Sequence, residues 1–283
     1  MRNIDARTIT PAFLQRIAGC DDPRLKEILG GLVTHLHDFA REVKLTEAEW
    51  MAGIDFLTAT GQKCSGTRQE FILLSDVLGL SMLLVAQNHD KPAGCTEATV
   101  FGPFHTDDAP HLPDGADLRG GAPGTPLDVA IEVRSLDGRP LADAEVDVWE
   151  ADADGFYDVQ HADLDHRRAR GVLRTDTEGR ARFTALLPTP YPVPTDGPVG
   201  QVLVATGRHP WRPAHLHFLI RAAGHEPLVT HIFRAGSDYL DSDVVFGVRS
   251  SLVAEMPEVA PGQGRYQLRQ TFVLNPAAIG TAP

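Results

Sequence analysis

The hydrophobic period of this chain changes once, and it changes across a stretch rich in glycine and proline. Before the change, Leu25, Ile28, Leu29, Leu32, Val33, Leu36, Phe39 and Val43 follow steps of three and four. That spacing lays one apolar stripe along a helix. Thr46-Glu-Ala-Glu49 reads as a capping box opening a second helix, which carries Trp50, Ile54 and Leu57. A third helix is predicted from about Thr67 to Asn88 and is apolar almost all round. A helix without a polar face must be covered, either inside its domain or by a partner subunit. From Asp90 to Pro126, 12 of 37 residues are Gly or Pro, which is loop chemistry. Beyond it the period is two. Leu127, Val129, Ile131 and Val133 alternate, Asp137-Gly138 turns the chain, and Ala144, Val146 and Val148 alternate again. Val202 and Val204, then Leu216, Phe218 and Ile220, then Tyr266, Leu268, Phe272 and Leu274 suggest further strands. The two periods predict an α+β chain: a helical domain over 1–90, a connecting loop over 91–126, and an antiparallel β-sandwich over 127–283.

Charge and cysteine content narrow the function. A formal net charge of −12 argues against nucleic acid, whose phosphates need a basic patch. An anionic small substrate remains open, since local arginines can outweigh the global sum. Cys20, Cys64 and Cys95 are odd in number and have no metal-ligand spacing, so they read as reduced thiols. The N-terminus lacks an apolar signal core. The longest uncharged apolar stretch, Val77 to Asn88, falls short of the roughly 20 residues of a membrane helix. The expectation is a soluble, cytoplasmic protein without membrane insertion.

The segment Tyr191 to Phe218 carries the chemistry. His215 and His217 are two apart in Pro213-Ala-His-Leu-His-Phe218, and on a strand they share a face. Two imidazoles can then meet at one point, although a pair merely sharing a strand face has the same spacing. His35 and His37 sit two apart on a predicted helix and diverge by about 200°. Tyr157 and Tyr191 are the candidate oxygen donors, and either could instead be a packing or turn residue. Together, two histidines and two tyrosines suit ferric iron, because hard anionic oxygens favour Fe(III) and a nearby cation stabilises the phenolate. Zinc would be expected with cysteines or a third histidine. Asp152-x-Asp154-Gly155 lacks the remaining ligands of an EF-hand loop.

These residues resemble the intradiol ring-cleavage dioxygenases along nearly the whole chain. The specific pieces are Asp147-Val-Trp-Glu-Ala151 leading to Gly155-Phe-Tyr157, then Arg174-Thr175, Gly179 with Phe183, Tyr191-Pro192, Asp196-Gly-Pro-Val-Gly200, and Arg212-Pro-Ala-His215-Leu-His217. The resemblance implies a helical linker domain before a β-sandwich catalytic domain. It also implies a homodimer built on the helical part, with phospholipid between the subunits. By the same resemblance Tyr157, Tyr191, His215 and His217 bind the Fe(3+), with Tyr191 and His217 axial. Tyr191 would accept a substrate proton, and Arg212, flanked by Pro210 and Pro213, would stabilise negative charge on the ring.

Within that family the chain is most similar to hydroxyquinol 1,2-dioxygenases. Val100-Phe101-Gly102-Pro103-Phe104 in the connecting loop carries the likeness, with Leu73, Asp76, Val193, Pro194 and Val245. His231 lies where catechol enzymes tend to have glutamine. All are expected to line the substrate site, and Asp76 could accept a hydrogen bond from a third ring hydroxyl. The implied substrates are an aromatic triol or diol and O2. Catechol or chlorocatechol cleavage is the alternative within the class, and a non-catalytic sandwich that binds a metal is the alternative outside it.

Overall fold

The computed structural model describes residues 3–161 and 164–277. The chain forms two compact units, 1–59 and 60–283, and their boundary falls inside a helix. The first unit holds α1 (Ile9–Arg16), α2 (Pro23–Glu42) and most of α3 (Glu47–Lys63). Asp22 caps α2 by accepting from the Arg24 and Leu25 amides, and Pro23 supplies the preset φ of a first turn. The capping box before α3 is present: Glu49 accepts from the Thr46 amide, and the Glu49 amide donates back to the Thr46 hydroxyl. His37 bonds Thr10 at 2.9 Å, a packing role. The α2 stripe remains uncovered, with Leu32, Leu36 and Phe39 each at least 52% exposed.

The predicted third helix is two helices, α4 (Glu70–Val77) and α5 (Leu80–Asn88), bent by 76°. The break is at Gly79, whose φ of +78° is a left-handed conformation that glycine adopts without steric cost. The bend matters because it leaves Asp76 in the last turn of α4, buried. No single helix among the described residues is long and apolar enough to cross a membrane.

The rest of the second unit is a sandwich. One sheet has the order β1 (Ala116–Asp117), β5 (Arg180–Leu186), β2 (Pro126–Ser135), β11 (Tyr266–Leu274). The other has the order β10 (Val253–Ala254), β9 (Leu228–Arg234), β8 (His215–Arg221), β3 (Glu145–Trp149), β4 (Arg170–Arg174). Val129, Ile131, Phe183 and Phe272 from the first sheet share a core with Val146, Val148, Leu216, Phe218 and Ile232 from the second. The pairing is not purely antiparallel: β11 runs parallel to β2 along its whole length. Parallel neighbours need a long crossover, and here residues 136–265 lie between the two strands.

A second departure concerns Val202 and Val204. They lie on a helix, α6 (Pro198–Ala205), not on a strand. Pro198 occupies the first helical position, a strong start signal that the valines' spacing of two masked. The Val199 amide at that end donates to Glu70 Oε1 at 3.3 Å. A two-stranded ribbon, β6 (Tyr191–Pro192) with β7 (Trp211–Arg212), completes the unit and sets Tyr191 opposite Arg212.

Candidate metal and substrate site

Strand alternation places the histidines. On β8, Leu216, Phe218 and Ile220 enter the sandwich core, so His215 and His217 face the other way. Trp149 on β3 is in register with His217 and stacks on it, with ring centroids 4.7 Å apart. Tyr191 arrives on β6. Tyr157 arrives on the loop after β3, where Asp152 accepts from the Asp154 and Phe156 amides and holds the turn. Gly155 in that turn has φ +85°, and a Cβ there would lie 2.7 Å from Tyr191 Cβ. Only glycine lets the two tyrosines approach. Behind Tyr157, the buried Arg170 grips Asp158 and also donates to Thr106 and the Phe104 carbonyl. That clamp seats Phe104 against Tyr157, stacked at 4.4 Å.

The four donor atoms close a ring. Tyr157 OH lies 2.9 Å from Tyr191 OH and 2.8 Å from His217 Nε2. Tyr191 OH lies 3.4 Å from His215 Nε2, which lies 3.2 Å from His217 Nε2. Adjacent donors around one cation, with bonds of about 2.0–2.2 Å, stand about 2.8–3.5 Å apart. The spacing therefore fits a single metal ion. The tautomers fit as well. His215 Nδ1 donates to the Pro213 carbonyl at 2.7 Å, which leaves a lone pair on Nε2. If His217 presents its own Nε2 lone pair, its Nδ1–H donates to His231 Nε2 at 2.7 Å. His231 Nδ1–H then donates to Thr99 Oγ1 at 2.9 Å.

Burial acts on every member. It pushes Tyr157 well above the ordinary phenol range, with the adjacent Tyr191 adding to the effect. It pushes His215 and His217 well below the imidazole range, and the Arg212 charge pushes the same way. Neutral imidazoles suit metal binding, and a bound cation would reverse the Tyr157 shift by stabilising its phenolate. His231 forms a cluster with His215 and His217 that could hold a metal. Its Nε2, however, is engaged on the Nδ1 side of the His217 ring, away from the tyrosines. The tetrad is the better donor set.

Arg212 stands over the tetrad. Its Nη1 is 3.1 Å from His215 Nε2 and 3.5 Å from Tyr191 OH. Its other edge is held by Asp243, Nε to Oδ1 at 3.2 Å and Nη2 to Oδ2 at 3.4 Å. Asp243 also accepts from the Val245 and Gly247 amides. The buried carboxylate holds Arg212 firmly in its protonated form.

A cavity of about 420 Å³ opens beside the tetrad and is lined by Tyr191 and Arg212. Of the residues expected to line a substrate site, it brings together Leu73, Asp76, Val100, Gly102, Pro103, Phe104, Val193, Pro194 and Val245. Two do not join it. Phe101 turns outward onto His105 and Trp149, with centroids at 4.7 and 5.8 Å, and is 42% exposed. His231 is fully buried behind His217 because β9 pairs His231 with His217 across the ladder. Asp76 is 4% exposed, and burial raises its carboxyl above the usual range against the pull of a Ser81 hydrogen bond and the Arg212 charge. Sequence reasoning missed Asp243 and a stretch that also lines the cavity, Ser65 with Thr67, Arg68, Gln69 and Glu70. Asp243 had no local signal. Arg68-Gln-Glu70 sat at the start of a predicted helix and looked like an ordinary charged first turn.

Comparison with known proteins identifies the family. The family described as "Dioxygenase" matches residues 100–276, and "Catechol dioxygenase N terminus" matches 22–96. The chain is 58% identical to a 6-chlorohydroxyquinol 1,2-dioxygenase of Cupriavidus pinatubonensis, over 98% of this chain and 99% of that protein. It is 53% identical to a hydroxyquinol 1,2-dioxygenase of Nocardioides simplex, over 86% of this chain and 84% of that one. The structure superposes on a hydroxyquinol 1,2-dioxygenase from Pseudomonas putida DLL-E4 with a TM-score of 0.88 at 43% identity, covering 96% and 99% of the two chains.

Proposed function

The chain belongs to the intradiol ring-cleavage dioxygenases, and from that premise we propose that it opens benzene-1,2,4-triol between its adjacent hydroxyls. The products would be 3-hydroxy-cis,cis-muconate and its tautomer maleylacetate. The observation that carries the choice of substrate is Asp76. It is a buried carboxylate that lines the cavity together with Leu73, Val100, Val193 and Val245, and the same cavity holds Tyr191 and Arg212. A carboxylate there accepts a hydrogen bond from the hydroxyl that catechol lacks. With catechol it faces an apolar C–H and loses that partner.

Tyr157, Tyr191, His215 and His217 would hold Fe(III), the ion preferred by two phenolates and two imidazoles. The four short contacts in the ring run Tyr157, Tyr191, His215, His217. Ferric iron, when bound, withdraws electron density from an aromatic diol and exposes a ring carbon to O2. The chain's own groups do the rest. Tyr191 accepts a proton from one substrate hydroxyl. Arg212, aimed by Asp243, stabilises the negative charge that develops on the ring and its oxygens. Leu73, Val100, Val193 and Val245 keep water from the ring face.

The same reading pairs two copies of the chain through the helical segment, with lipid at the junction. The half-exposed α2 stripe of Leu25, Ile28, Leu32, Leu36 and Phe39 supports it, as do the exposed Leu83 and Leu84 of α5. Exposed apolar patches of this extent mark interaction surfaces.

Oxygen uptake on a panel of benzenetriol, catechol and chlorocatechols tests the reading. Benzenetriol should turn over fastest, and faster turnover of catechol overturns the proposal. Phenolate-to-iron charge transfer should colour the loaded protein red-brown, with Tyr157→Phe shifting the band.

A further inference from the structure

The cavity contains a second arginine, and its two edges are bound very differently. Arg68 Nε and Nη2 both donate to Glu70 Oε2, at 2.9 and 2.8 Å. Glu70 is fully buried and receives the Val199 amide on its other oxygen. That edge is anchored. The remaining nitrogen, Nη1, reaches Asp196 Oδ1 at 2.7 Å, and the Asp196 side chain is 65% exposed. Asp196 has another partner as well, Lys63 Nζ at 2.9 Å. Arg68 lines the main cavity and also a smaller recess that adjoins it, where Asp196 and Thr195 form part of the wall.

We propose that Arg68 Nη1 is a carboxylate subsite that takes one end of the ring-opened product by exchanging it for Asp196. The inference rests on the ring-cleavage reading above. An aromatic triol carries no carboxylate, whereas intradiol cleavage converts two hydroxyl-bearing carbons into two carboxylates. Only the product is a dicarboxylate, so only the product matches a cavity with an arginine at each of two places. Arg212 serves one end, and Arg68 serves the other. Nη1 offers a carboxylate a charge-assisted hydrogen bond. The exchange is easy for three reasons. The displaced contact is an exposed ion pair, which water and salt weaken. Asp196 keeps Lys63 and gains solvent. Arg68 trades one anion for another, so its charge stays compensated throughout. Because Arg68 borders the recess, the exchange would draw that end of the product toward the exposed Asp196.

The test is product inhibition of the full-length, iron-loaded protein, with cis,cis-muconate as the stable dicarboxylate probe. Its binding to the same protein is measured in parallel by calorimetry, which needs no turnover. Asp196→Asn removes the competing negative charge from Nη1, leaving only a weaker neutral acceptor, and should tighten muconate by about fivefold. Arg68→Gln should weaken it by about tenfold. Asp154→Asn makes the same charge change in the same recess without touching Arg68, and should leave muconate affinity within about twofold. Since Arg68→Gln also removes the Glu70 anchor, Asp196→Asn is the deciding variant, its fold checked by circular dichroism. Unchanged muconate affinity in Asp196→Asn overturns the subsite. So does an equal gain in Asp154→Asn, because the effect would then be general attraction. Loss of all ring cleavage in the unaltered protein would instead sink the function above, and the calorimetric comparison would still decide the subsite.

Discussion

The two walls of the cavity are built in opposite ways. One wall is strand-borne: Tyr191 on β6, Arg212 on β7, His215 and His217 on β8, each no more than 5% exposed. The other is carried by a helix and loops: Leu73 and Asp76 on α4, Val100 with Gly102 to Phe104, Val193 with Pro194, and Val245. On the strand wall, position follows from pairing register. A slip of one residue on β8 would send both histidines into the sandwich core and Leu216 and Phe218 into the site. On the helix-and-loop wall a side chain can be exchanged while the backbone stays put. On the proposed function, the contrast is a division of labour: the rigid wall would hold the reacting groups and the adaptable wall would choose the ring.

The hardest way to break that division is to strike the strand wall. His217→Ala should lower turnover on every substrate by on the order of a thousandfold or more, with iron content falling in step. Elemental analysis alongside oxygen uptake checks it. Retained iron and a change confined to one substrate would erase the distinction between the walls. The helix wall should respond differently. Asp76→Leu is expected to cut kcat/KM for benzenetriol relative to catechol by about a hundredfold, and to leave catechol turnover level or higher. If both substrates fall together, Asp76 supports the fold and does not select. Its raised carboxyl adds a pH signature. As pH falls, Asp76 protonates earlier than an ordinary aspartate and loses acceptor strength, so the preference for benzenetriol should narrow on the acid side.

His231 probes what stands behind the strand wall. His231→Leu strands the His217 Nδ1–H and should weaken iron binding about tenfold or more. His231→Gln should recover most of it, because a glutamine carbonyl can accept from His217 while its amide donates to Thr99. The readout is iron affinity by competition with a chelator, which a purely packing role would not restore through a polar residue. Failure of the glutamine to rescue would remove His231 from the support of the metal site.

Legibility in the sequence follows the same division. The strand wall was visible because alternation is a local signal: His215 and His217 two apart, with Leu216 and Phe218 between and beyond, state which face each takes. The capping box at Thr46 was local in the same sense. What escaped depends on tertiary context. The break at Gly79 hid inside an apolar run that reads as one continuous helix. Val202 and Val204 looked like a strand because their spacing matched, while Pro198 at the helix start and Glu70 at its first amides decided otherwise. The parallel pairing of β11 with β2 joins segments far apart in the chain, and no local pattern reports it. Asp243, the anchor of Arg212, is one aspartate among many until the fold brings it there.

Phe101 offers the smallest effect and a sharp one. It lies within Val100-Phe-Gly-Pro-Phe104, a run whose other four members all line the cavity. Its own ring packs outside, against His105 and Trp149. Gly102 explains the reversal: its φ of +76° turns the chain, and its Cα comes so near His217 that a Cβ would lie 3.3 Å from Cε1. Phe101→Leu should therefore leave the ratio of benzenetriol to catechol turnover within about twofold, whereas a cavity-facing residue of that size would move it further. The cost should appear as stability, about 0.5–1.5 kcal/mol from the lost aromatic contacts, measured as a shift in the denaturation midpoint. Trp149 in turn stacks on His217, so a small broadening of the iron-phenolate band is the only spectral change expected. A large change in substrate preference would place Phe101 inside the selecting wall and show that this loop rearranges when the ring is bound.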